Sequence, residues 1–114
     1  MNKIYNMAFA KVFSLLLAKA LKKSRTKEEV YQVVTWLTGY STEQLDDLLE
    51  SDITYGDFFL CAPEMNPKRF DIKGSICGVK IEKIEDPLMR DIRYLDKLID
   101  ELAKGKAIED IICK

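Results

Sequence analysis

Catalysis in this chain would have to rest on carboxylates, Lys, Tyr or Cys, and of these the carboxylates form clusters. They crowd in two places, Asp46-Asp47 with Glu50 and Glu82, Glu85, Asp86. Such sets could trade protons or hold magnesium through oxygen. Neighbouring residues on a helix point about 100° apart, so Asp46 and Asp47 do not readily share one ion. Asp86 stands directly before Pro87, where an N-cap is needed, and Asp96, Asp100 and Glu101 fall on the polar face of the helix that follows. Histidine is absent, which removes the usual base near neutral pH, the commonest transition-metal ligand and every Ser-His or Cys-His arrangement. Lys73-Gly74-Ser75 is a fragment of a phosphate loop, far short of the full motif. No catalytic residue, cofactor site or metal site is predicted, and the balance is against an enzyme.

The remaining reactive residues are three cysteines, Cys61, Cys77 and Cys113. Their odd number and the lack of a Cys-x-x-Cys pair argue against a disulfide framework or a zinc site, and for a reducing compartment, the cytoplasm. Cys61 follows Phe58-Phe59-Leu60 and Cys77 sits between Ile76 and Gly78. Both read as small buried hydrophobes. If a ligand or interface surface exists, the rings that would anchor it are Trp36, Tyr40 and Tyr94, against the simpler reading that they wedge the core.

These residues need elements to hold them. The 114 residues, 47% apolar and 32% charged, suit one compact domain spanning 1–114. Lys3, the apolar run Val12–Leu17 and Ala18-Lys19-Ala20 imitate a secretory signal. Lys11, Lys19, Lys22 and Lys23 spoil it, and the run is far short of the ~20 residues that cross a bilayer. It reads instead as a helix from Met7 to Lys23, made wide by Leu15 and contacted on two sides.

Thr26-Lys27-Glu28-Glu29 and Ser41-Thr42-Glu43-Gln44 are capping boxes that open a second and a third helix, with Gly39 ending the second. Thr54 caps a short turn of helix through Leu60, stopped by Pro63. After Asn66-Pro67 the apolar period changes to two: Phe70 and Ile72, a tight turn at Gly74-Ser75, then Cys77, Val79 and Ile81. That pattern predicts a β-hairpin, with a bulge or a close backbone approach at Gly78. Asp86-Pro87 then starts a long helix with Leu88, Ile92, Leu95, Ile99 and Leu102 on one stripe, closed by Gly105. Ile108, Ile111 and Ile112 form a last apolar patch. The expected fold is mainly α with a short β-hairpin (α+β), with five or six short helices packed as one domain.

Three stretches carry a resemblance. Lys23–Val30 runs on to Trp36-Leu37-Thr38-Gly39-Tyr40-Ser41; Cys61-Ala62-Pro63 precedes Asn66-Pro67; and Cys77-Gly78-Val79 leads to Ile84–Met89 and Ile92–Lys106. Together they resemble the small bacterial proteins catalogued as domain of unknown function 2200. The resemblance implies a cytoplasmic, single-domain bacterial protein and brings no functional residues with it.

Three function classes remain. The helix pair at residues 26–51 could be a helix-turn-helix, but Glu43, Asp46, Asp47 and Glu50 would face phosphate, so nucleic acid is a poor partner. A carboxylate enzyme meets the objections above. A net charge of −1, from 18 basic and 19 acidic residues, supplies no field to draw in polyanions or membranes. The favoured expectation is a non-catalytic protein that self-associates as a homodimer, through the long helix or the hairpin edge, or binds an unidentified protein partner.

Overall fold

Helix α1, Phe9–Lys22, has no side-chain cap at its start, so its first turn must be held by other means. In this computed structural model, which describes residues 3–72, 74–76 and 78–112, an isolated antiparallel bridge between Ala8 and Thr54 does so. Phe9 N donates to the Ile53 carbonyl at 2.9 Å and Tyr55 N to the Met7 carbonyl at 2.8 Å. A 3-10 turn, Lys3–Asn6, occupies the segment before it. Phe9, Val12, Phe13 and Ala20 are buried. Leu15 does not widen this stripe as expected: it is 59% exposed. At about 100° per residue it falls roughly 120° from the centre of the buried stripe.

Both capping boxes form. Thr26 opens α2, Lys27–Thr38, and Ser41 opens α3, Thr42–Leu49, each with reciprocal side-chain and backbone bonds to the residue three positions on. Thr54 accepts from Asp57 N and opens α4, Tyr55–Leu60. Helix α2 ends at Gly39, and its last carbonyls are met by a later loop: Glu64 N donates to Thr38, Asn66 N to Leu37 and Asn66 Nδ2 to Trp36. Without these donors a buried helix end would hold unsatisfied acceptors.

The hairpin forms with a different register from the expected one. Asn66 and Pro67 act as cap and first residue of a 3-10 turn, Pro67–Asp71, so no strand runs through Phe70 and Ile72. Strands β1, Ser75–Ile76, and β2, Val79–Lys80, pair Ser75 with Lys80 and Ile76 with Val79. The reversal therefore lies between Ile76 and Val79, not at Gly74-Ser75, and Gly78 sits in a turn rather than in a bulge. The expectation for Cys77 falls outside the described residues.

Helix α5, Pro87–Ala103, is the hub. Asp86 accepts from Leu88 N at 3.0 Å and Pro87 supplies the first helical position. Ile92, Leu95, Leu98, Ile99 and Leu102 are fully buried, packed against α1, α2 and α4. The stripe once available for a dimer through this helix is thus spent on the chain's own core. The last helix, α6, Ile108–Ile112, buries Ile111 and packs against α2 and α5. Rings fill the other end of the core: Phe9 stacks on Phe58 at 4.0 Å, Tyr40 stacks on Phe58 at 4.8 Å, and Phe13 meets Tyr31 edge-on.

Candidate functional site

The three rings named as a possible surface do not make one. Tyr40 is buried, its hydroxyl donating to the Phe58 carbonyl at 2.6 Å, and burial pushes its phenol up to about 12. Tyr94 is buried on α5 with Phe70 against its edge. A tyrosine can be buried this way when its polar tip finds a partner inside, as that of Tyr40 does. Of the three, only Trp36 is partly exposed, beside Gly39, Glu64, Asn66 and Pro67 on a cleft of 280 Å³.

The carboxylates are equally dispersed. Asp46 accepts from the Tyr31 hydroxyl at 2.6 Å, while Glu43, Asp47 and Glu50 stand in solvent on the outer side of α3. That acidic face is what the helix-turn-helix reading would have to press against phosphate. Asp86 is occupied with Leu88 N and the Tyr5 hydroxyl. Among the described residues no three His, Cys, Asp or Glu side chains gather as a metal ion requires. None of the helices there is long and apolar enough to cross a membrane.

What the structure does gather is an apolar cleft of 380 Å³, lined by Tyr5, Asn6, Thr54, Gly56, Asp57, Leu60 and Leu88. Three separate stretches meet there: the first 3-10 turn, α4 and the first turn of α5. Helix α4 creates it by geometry. Burying Tyr55, Gly56, Phe58 and Phe59 inward leaves Asp57 and Leu60 on the outer side, because a helix cannot aim four successive apolar residues at one core. Leu60 is 69% exposed. Gly56 lets the 3-10 turn lie close, since a Cβ there would come 3.1 Å from the Tyr5 carbonyl oxygen. Tyr5, on the cleft wall, also donates to Asp86.

Cys61, the residue after α4, is exposed, which corrects the expectation of a buried thiol. The signal for both Leu60 and Cys61 was in the sequence: Phe58-Phe59-Leu60-Cys61 is too long an apolar run for a single buried face.

A second outward apolar site lies on α1. Leu15 and Leu21 are 59% and 51% exposed, on the side of the helix that also presents Lys11, Ala18 and Lys22 to solvent.

A solved structure titled as that of uncharacterized protein SP1917 matches with a TM-score of 0.93 and 52% sequence identity, covering 97% of this chain and 92% of that one. No curated protein matches. A family model described as "uncharacterized protein conserved in bacteria" matches residues 3–113. The match spans nearly the whole chain, and the chain belongs to that bacterial family, domain of unknown function 2200.

Proposed function

We propose that this protein works by binding rather than by catalysis, in the bacterial cytoplasm, and that its first partner is a second copy of itself. The observation that carries this reading is Leu60, the most exposed large apolar side chain among the described residues, set on the rim of a cleft that Leu88 also lines. Burying the rest of this leucine against a partner would recover part of the ~1.5–3 kcal/mol that full burial of such a side chain is worth. An exposed thiol at Cys61 suits a reducing compartment.

Sedimentation equilibrium from micromolar to high micromolar concentration tests the reading. The expected result is a species heavier than the 13.1 kDa chain, returned to 13.1 kDa by Leu60→Glu. A wild-type chain that stays monomeric throughout overturns it.

A further inference from the structure

The charges of this chain are sorted along it, although they nearly cancel in total. Residues 1–27 contain seven Lys and Arg and no acid; residues 28–67 contain nine Asp and Glu and no base. The fold keeps both blocks on the surface. Of the basic block, Lys3, Lys11, Lys22, Lys23 and Lys27 are exposed and form no ion pair among the described residues, while Lys19 and Arg25 are held by Asp100 and Glu29. Of the acidic block, Glu28, Glu43, Asp46, Asp47, Glu50, Asp52, Asp57 and Glu64 are all exposed and none is in an ion pair there.

Each block also carries one outward apolar site. On α1, Lys11, Leu15, Ala18 and Lys22 recur at steps of four and three. They form a single stripe about 16 Å long, with Leu21 beside it. Its middle is apolar, Ala18 lets another backbone come near, and a lysine stands at each end. On α4 and just beyond it, Leu60 lies between Asp57 and Glu64, an apolar middle with a carboxylate on either side in the sequence.

We infer that the α1 stripe of one copy docks on the Asp57–Leu60–Glu64 patch of a second copy, Lys11 and Lys22 facing the carboxylates while Leu15 meets Leu60 and its cleft. This pairing rests on the self-association proposed above and names the surfaces that make it. The observations favour a second copy because the same chain carries the complement of the stripe in both charge and apolar character. A phosphate backbone would match the lysines and leave Leu15 and Leu21 with nothing to touch. Two α1 stripes laid together would bring lysine against lysine at both ends, so like does not pair with like. Complementary charge of this kind raises association rate and fixes partner choice, and its contribution falls as salt screens it.

Charge exchange tests it. The double variants Lys11→Glu/Lys22→Glu and Asp57→Lys/Glu64→Lys change only exposed side chains. Circular dichroism confirms that each is folded before its mass is measured by sedimentation at 50 mM salt. Expected are a dimer dissociation constant raised tenfold or more in either variant alone, recovery of the wild-type mass on mixing the two, and a severalfold weakening of wild type at 300 mM salt. Wild type that associates while both variants associate equally well, or variants that fail to recover on mixing, overturns this pairing and leaves self-association standing. A wild-type chain that remains at 13.1 kDa overturns both, whether or not it sediments with phosphatidylglycerol vesicles or shifts an oligonucleotide.

Discussion

Tyr5 and Asp86, 81 residues apart, are joined by a hydrogen bond from the phenol to the carboxylate. The other oxygen of Asp86 accepts from Leu88 N and caps α5. One carboxylate therefore fixes the start of the hub helix and the first turn of the chain together. The Tyr5 hydrogen bond is the main reason the Asp86 carboxyl is held below its usual range, while burial, aided by Asp86, raises the Tyr5 phenol to about 12. A depressed carboxyl adds stability above its unfolded pKa of about 4, and that stability is lost as pH falls through the folded value. Tyr5→Phe is expected to lower the urea midpoint at pH 7, and the difference from wild type should close under strongly acidic conditions. A gap that stays constant with pH would show that the ring, not the hydroxyl, matters.

Gly39→Ala should be among the most damaging single-methyl changes. Its φ is +80°, and a Cβ there would come 2.7 Å from the Glu64 carbonyl oxygen and 2.9 Å from Glu64 N. The clash falls on backbone, which cannot swing away as a flexible side chain would. The same loop supplies the donors for the end of α2, so moving it breaks hydrogen bonds too. A loss of about 2 kcal/mol or more is expected from a left-handed residue under such constraint, read as a shifted midpoint in chemical denaturation.

How far the sequence could be read depended on whether a signal was local. Capping boxes at Thr26 and Ser41, the Thr54 cap and the Asp86-Pro87 start act within four residues, and each formed where expected. The hairpin was legible in kind but not in register. Alternation of Phe70, Ile72, Cys77, Val79 and Ile81 suited two strands, yet Asn66-Pro67 opens a 3-10 turn that takes in Phe70, and the pairing lies at Ser75–Lys80. Which rings were anchors was not legible at all, because it depended on tertiary neighbours. Tyr40 lies inside because Phe58, eighteen residues on, offers it both a stacking face and a carbonyl. The candidate cleft needed three distant stretches and could not be drawn from spacing, although the surplus in Phe58-Phe59-Leu60-Cys61 pointed to it.

Asp96 provides a pH dependence of opposite sign. Burial raises its carboxyl, and the Arg93 guanidinium beside it, 3.1 Å away, only partly offsets this. A carboxyl raised on folding binds its proton more tightly in the native state, so stability falls as pH rises from the unfolded pKa through the folded one. Asp96→Asn removes that titration and keeps an acceptor for Arg93. The variant should gain on wild type as pH climbs from about 4 toward 7, most simply followed as the difference in thermal midpoint. A difference that is flat with pH would count against the burial argument.

Leu95 and Leu60 make the sharpest paired comparison. Leu95 has no exposed surface and sits in the stripe of α5 that the core consumes, so Leu95→Ala should cost about 2–5 kcal/mol, the transfer term plus an unfilled cavity. Leu60 is mostly in solvent, so Leu60→Ser should change monomer stability by no more than about 0.5 kcal/mol. Denaturation at a protein concentration low enough to exclude association isolates that number. If Leu60→Ser is neutral there yet weakens association at high concentration, its side chain contributes to contact between copies and not to folding. A large loss of stability in the dilute monomer would mean that Leu60 supports the packing of α4, and the cleft would lose its claim to be an interface.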